Sequence, residues 1–210
     1  MENEKVKKYN TIQYMPVLYN YEYYKDKLDS IPYKRFYDMV AVVKKLRVGP
    51  CLERLYSDVT FEDLEKLGKD EDEIFADSLV SCINEESFRL FRIADFLEAM
   101  DMDDVPAPDD LFEAPNIYCL TNMSLEYGAN VLLYPGIFEK IYQILNDSYY
   151  ILPANIDQLI VVTDAELPYD VANYYMAMEE VNEVILDESQ ILSHTVFYYD
   201  GSLHNLSFVN

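Results

Sequence analysis

Short apolar blocks bounded by Gly, Pro, Asn or Asp recur along this chain, and only a few stretches space their apolar residues at helical intervals. Phe36-Tyr-Asp-Met-Val-Ala-Val-Val43 is one such block, rich in β-branched and aromatic residues, and it predicts a strand. Gly49-Pro50 marks a turn, and the mixed apolar and charged residues of 51–61 fit a half-buried antiparallel partner. Upstream, 18–29 places Tyr19, Tyr21, Tyr23 and Tyr24 among charges and is assigned to helix. Asp70 and Glu73 have capping-box spacing, so a helix starts there. Phe75, Leu79, Cys82 and Ile83, then Phe88, Phe91, Phe96, Leu97 and Met100, continue near helical spacing and predict two helices over 74–100.

Beyond an acidic, proline-broken connector at 101–110, the pattern sharpens. Strands are predicted at 117–120, 129–134, 149–152 and 158–163. Pro135 opens a helix whose buried stripe is Ile137, Phe138, Ile141, Ile144 and Leu145, and Pro168 opens another carrying Val171, Tyr174, Tyr175, Met178 and Val181. The chain closes on a hairpin, 196–199 and 203–208, joined by Asp200-Gly201 as a primed turn. Strands joined by short turns outnumber strand-helix-strand units, so the fold class is α+β, a mainly antiparallel sheet covered by helices. The chain reads as a single domain over 1–210, two sequential halves packed as one unit, with 18–105 and 115–210 as the possible sub-division.

Composition adds to this picture in two ways. Half of the 210 residues are hydrophobic, enough for a chain this long to bury about 70% of its unfolded surface without staples. Twenty tyrosines stand beside no tryptophan, which supplies large apolar bodies whose hydroxyls need partners. The charged amino terminus lacks a secretory pattern, and no apolar run approaches membrane-spanning length, so a soluble cytoplasmic protein is expected.

Charge changes the picture most. The net formal charge is -23, and it is uneven: residues 1–48 carry ten basic and six acidic side chains, residues 49–210 six basic and 33 acidic. Such a surface repels nucleic acid and anionic lipid, so direct nucleic-acid binding and membrane association are not expected, and a basic protein is the partner it suits. The same charge also favours solubility.

Familiar chemistry is missing. The five glycines are isolated and form no phosphate-cradling loop, and the chain has neither a nucleophile elbow nor a histidine-glutamate zinc helix. Asp101, Asp103, Asp104, Asp109 and Asp110 lack the glycine and terminal glutamate of an EF-hand loop and read as a solvated linker. His194 and His204 flank the last hairpin with no nucleophile beside either. No cofactor and no metal are expected.

Several stretches taken together resemble a known family. They are Ile31-Pro-Tyr-Lys-Arg-Phe-Tyr-Asp-Met-Val-Ala-Val-Val43, Ile117-Tyr-Cys-Leu-Thr-Asn122, Gly128-Ala-Asn-Val-Leu-Leu-Tyr-Pro-Gly136, Tyr149-Tyr-Ile-Leu-Pro-Ala-Asn-Ile156 and Val181-Asn182. The set resembles an uncharacterised bacterial family, common in gut-dwelling anaerobic Gram-positive species and classed as a domain of unknown function, over about residues 18–200. Where that family usually shows Ser-Ser-Ile-His-Glu after Leu-Pro, this chain has Ala154-Asn155-Ile156-Asp157-Gln158. The resemblance implies no activity.

Two functional readings follow. The first is a non-enzymatic binding or regulatory protein that presents an acidic face to a basic partner. The second is a hydrolase-like or nuclease-like enzyme whose site assembles only in three dimensions, with Asp38, Asn122, Asn155 and Asp157 as its members. Absent motifs and only two histidines favour the first.

Cys51, Cys82 and Cys119 are an odd set without Cys-x-x-Cys spacing and read as free thiols. Labelling the unfolded, unreduced protein is expected to modify all three, and mass spectrometry showing an intramolecular disulfide contradicts it.

Overall fold

The computed structural model describes residues 12–48, 53–85, 87–99, 117–153, 155–164, 175, 176, 179 and 187–209. The chain divides into two compact units, Met1–Ser87 and Phe88–Asn210. Antiparallel sheets with helices make it an α+β protein.

In the first unit, β3 (Met39–Val48) is the organising strand. β1 (Gln13–Asn20) pairs with it antiparallel along one side. The other side is shared end to end by β2 (Tyr33–Phe36), opposite 39–42, and β4 (Arg54–Asp58), opposite 44–48. The Val59 amide donates to the Val43 carbonyl at 2.9 Å and fills the gap between them. Residues 39–44 are all buried, as expected of a strand covered on both faces. The predicted strand at 36–43 therefore becomes a tight hairpin: a turn at Tyr37 and Asp38 separates β2 from β3.

Residues 13–20, assigned in part to helix, are strand. Their Val17, Leu18 and Tyr19 are buried against β3, and pairing overrides a weak local preference. Helix starts only at α1 (Tyr21–Tyr24), where Asn20 Oδ1 accepts from the amides of Glu22 and Tyr23, and a 3-10 turn, Lys25–Ser30, follows.

Two capped helices follow β4. α2 (Phe61–Leu67) is opened by a capping box between Thr60 and Asp63 and closed by Gly68 at φ 65°. α3 (Glu71–Glu85) packs on β1 through Ile74, Phe75, Ser78 and Cys82. Its capping box forms as the spacing predicts: the Glu73 amide donates to Asp70 Oδ1 at 2.8 Å and the Asp70 amide to Glu73 Oε2 at 2.9 Å. Ile83, predicted on the buried stripe, is exposed, because the buried face runs one residue earlier through Ile74.

The second unit is a six-stranded antiparallel sheet ordered β10-β9-β7-β8-β6-β5. Its strands are β5 (Phe88–Arg92), β6 (Ile117–Asn122), β7 (Tyr149–Leu152), β8 (Leu159–Thr163), β9 (Val196–Asp200) and β10 (Asn205–Val209). The helix predicted across 88–100 is half strand: β5 pairs with β6, and only α4 (Ile93–Ala99) is helical. α5 (Ile137–Leu145) buries Ile137 and Ile141 but leaves Ile144 exposed, contrary to the predicted stripe. The 101–110 connector, the Gly49-Pro50 turn, Cys51 and most of the helix expected after Pro168 lie outside the described residues. Cys82 and Cys119 are buried and neither is in a disulfide. Among the described residues, no helix is long and apolar enough to cross a membrane.

Asp63 joins the two local motifs of the first unit. Its Oδ2 accepts from the Thr60 amide at 2.9 Å and from Lys45 Nζ at 2.7 Å. The Lys45 hydrogen bond holds its carboxyl down at about 2, with the Thr60 bonds helping against partial burial. A depressed folded value means that this contribution is complete above the ordinary carboxylate range and is lost as pH falls toward 2. Asp63→Asn is expected to flatten the loss of first-unit stability between about pH 4 and pH 2, as measured by urea unfolding at several pH values, and Thr60→Ala to cost about 1 kcal/mol at neutral pH.

Candidate functional site

Three of the four residues singled out from the sequence converge in the second unit, around the turn after β6. Thr121 and Asn122 end β6 and are buried; the Thr121 hydroxyl donates to the Asp157 carbonyl at 2.8 Å. Asn122 bonds within its own turn: Nδ2 donates to the Glu126 carbonyl at 2.9 Å, while Oδ1 accepts from the Ser124 amide at 3.1 Å and hydroxyl at 3.0 Å. Asn155 Oδ1 accepts from the amides of Asp157 and Gln158, both at 2.8 Å, which ties the loop before β8 into an Asx turn. Asp157 Oδ1 accepts from the Tyr127 amide at 2.7 Å. Asp38 lies in the first unit, in the β2–β3 turn, where its carbonyl accepts from the Tyr21 amide at 3.0 Å.

Gly128 makes the convergence possible. A Cβ there would lie 2.0 Å from Thr121 Oγ1 and 2.2 Å from the Asp157 carbonyl oxygen. Only a residue without a side chain lets the chain pass between β6 and the 155–158 loop. Tyr127 enters this passage at φ 52°, and the Ala129 amide donates to the Ile156 carbonyl at 3.2 Å. Residues 129–134, predicted as a strand, are consequently a 3-10 turn, Gly128–Leu133, packed against β6. With neighbouring backbone groups taken by Ile156 and Tyr127, there is no ladder for a strand to join.

The electrostatics of this cluster are those of a half-buried carboxylate. Burial pushes the Asp157 carboxyl above its ordinary value, the Tyr127 amide opposes the shift and Glu126 adds to it. Cys119, with Sγ 3.9 Å from Gln158 Oε1, is pushed up to about 12 by burial and is no thiolate nucleophile at neutral pH. Among the described residues, no group of three or more His, Cys, Asp or Glu is placed to hold a metal ion.

Residues 1–201 match the model of a family of unknown function, DUF5688. The chain belongs to that family. The resemblance to an uncharacterised family is thus borne out, and the DUF5688 match runs through both compact units. No curated protein and no solved structure matches this DUF5688 member.

A second polar cluster in the DUF5688 chain has no counterpart in the sequence reading. Glu139 on α5 accepts from His204 Nδ1 at 2.7 Å and Tyr199 hydroxyl at 3.0 Å through Oε2, and from Gln143 Nε2 at 3.1 Å through Oε1. The Gln143 pair is one helical turn apart and readable from spacing. His204 is 65 positions away from Glu139, and only the fold joins them.

Asp157 supplies a test of its own role. A folded value above the unfolded one means that ionisation opposes folding, so this group adds stability at low pH and loses it as pH rises through the carboxylate range. Asp157→Asn, which keeps an acceptor for Tyr127, is expected to match or exceed the parent in urea unfolding at pH 7. Asp157→Ala is expected to lose about 1–2 kcal/mol by orphaning that amide. Loss of stability in Asp157→Asn equal to that in Asp157→Ala contradicts this account.

Proposed function

We propose that this DUF5688 member is a non-enzymatic binding or regulatory protein whose second unit engages a basic protein. The observation that carries the proposal is charge: residues 88–210 contain 21 acidic side chains against three basic ones, Arg89, Arg92 and Lys140. A body of that sign attracts cationic surfaces and repels phosphate backbones, and both effects fade as salt screens them over about 10 Å at 0.1 M. The hydrogen-bond pattern supports the same reading, since Asn122 and Asn155 use their side-chain oxygens on their own loops. A cytoplasmic, bacterial setting is part of the proposal, as is cooperative behaviour of 1–210 as one domain.

One observation favours the alternative of a hydrolase-like or nuclease-like enzyme. Asp157 has a raised carboxyl, and its Oδ2 accepts no hydrogen bond among the described residues. In that reading Asn122, Asn155 and Asp157 line a substrate site, and Asp38 stands apart from them in the first unit.

Titration of the full chain with a fluorescent lysine-rich peptide, and separately with labelled DNA and RNA, distinguishes the readings. Saturable peptide binding at low salt, weakening roughly tenfold or more by 0.3 M salt, is expected, with no nucleic-acid binding at micromolar concentrations. Saturable nucleic-acid binding, or no salt-sensitive peptide binding, overturns the proposal.

A further inference from the structure

The four-residue turn Gly201–His204 joins β9 to β10 and lies against α5. The predicted two-residue Asp-Gly turn is not formed. Asp200 Oδ1 instead accepts from the amides of Ser202 at 2.8 Å and Leu203 at 3.1 Å, and from the Ser202 hydroxyl at 2.6 Å, which winds the chain one step further. Gly201 leaves room for the ring of Tyr142 on α5: a Cβ would lie 2.0 Å from its Cε2. Its amide donates to Ser148 Oγ at 3.1 Å. His204 then takes φ 52°, a conformation that His tolerates better than most residues, and this turns its imidazole onto Glu139.

We propose that the Glu139–His204 contact is a proton-dependent latch that fixes the β9–β10 turn on α5, tight when His204 is protonated and looser when it is neutral. The charged and titratable groups around it come from every packed element. α5 contributes Glu139 and Tyr142, the latter with its ring edge-on to the imidazole at 6.4 Å. β9 contributes Tyr199, bonded to the same carboxylate oxygen, and Asp200, whose carboxyl is lowered chiefly by the Ser202 hydroxyl and further by His204. β7 contributes Tyr149, whose hydroxyl donates to the Phe138 carbonyl at 2.8 Å and whose ring lies 5.3 Å from that of Tyr199. Around the imidazole the charges are thus carboxylates, Glu139 and Asp200, and among these groups no cation competes for them.

The sign follows from the two partners. The His204 hydrogen bond, with those of Tyr199 and Gln143, lowers the Glu139 carboxyl, so Glu139's contribution is complete above the ordinary carboxylate range and lost as pH falls through its folded value. When the imidazole is neutral, the charge-assisted bond becomes one from a neutral donor to a carboxylate and weakens. The latch is therefore strongest where Glu139 is ionised and His204 is protonated. Both side chains are partly exposed, which keeps the effect at the scale of a surface pair.

Hydrogen-exchange protection factors of the Asn205–Val209 amides at pH 5.5 and 8.5, referred to those of β7 and β8, read the latch directly. The parent chain is expected to lose roughly twofold to fivefold protection at the higher pH. Glu139→Gln and His204→Asn, the latter suited to a positive φ, are expected to show the high-pH value at both conditions, and His194→Gln to behave as the parent. A pH dependence that persists in Glu139→Gln and His204→Asn, that disappears in His194→Gln, or that is absent from the parent overturns the proposal.

Discussion

The second unit is organised around a space that no side chain can occupy. Between the Thr121 hydroxyl and the Asp157 carbonyl there is room for a hydrogen on Cα and nothing more, and Gly128 fills it. From that contact the bonds of the backbone amides follow in order: Ala129 to the Ile156 carbonyl, Tyr127 to the Asp157 carboxylate, and Ile156 to the Gln190 carbonyl. The end of β6, the 3-10 turn and the loop before β8 are thereby held at fixed separation, and β8 is held in register beside β6. Larger residues here cannot be absorbed by rotamer changes, because one of the opposing groups is backbone.

A second constraint is the shortage of cations, and tyrosine answers it. In the second unit Tyr198 donates to Asp164 at 2.9 Å and Tyr199 to Glu139 at 3.0 Å; in the first, Tyr24 donates at 2.9 Å to both oxygens of Asp58, a carboxylate that Lys44 also pairs at 2.7 Å. A phenol donates to a carboxylate while its ring fills apolar space, as Tyr24 does by stacking on Tyr19 at 4.2 Å. With three basic residues for 21 acidic ones after residue 87, neutral donors must take up carboxylates that cannot find an ion pair. Tyr150 and Tyr198 also face each other across β7 and β9, with ring centroids 4.7 Å apart.

Local signals were legible where local chemistry decides. The Asp70–Glu73 capping box and the strands at 117–122, 149–152 and 159–163 owe their form to residues close in sequence or to continuous apolar blocks. Val131-Leu132-Leu133-Tyr134 has the composition of a strand and fails to be one because Gly128 and Tyr127 direct the backbone elsewhere. Phe88 and Phe91 sit at helical spacing yet lie on β5, since β6 offers an edge to pair with. For the candidate site, the Asn and Asp residues near 122 and 155–157 were identified individually; their meeting through Thr121 and Gly128 depends on sheet order, which no spacing encodes.

Both polar clusters finally answer to the same field. A unit of net -18 resists compaction by self-repulsion, and each proton, salt ion or cationic partner that it takes up relieves that repulsion. A ligand that binds only the folded unit adds stability as RT ln(1 + [L]/Kd), so a bound cation and protonation of Asp157 act in the same direction, whereas protonation of Glu139 removes a favourable contact. They differ in where they act. Protonation of Asp157 acts inside a half-buried turn, whereas a cation taken up from solution acts at the surface. In this unit neutral donors such as Tyr198 and Tyr199 hold individual carboxylates in place while the formal charge of the unit stays at -18.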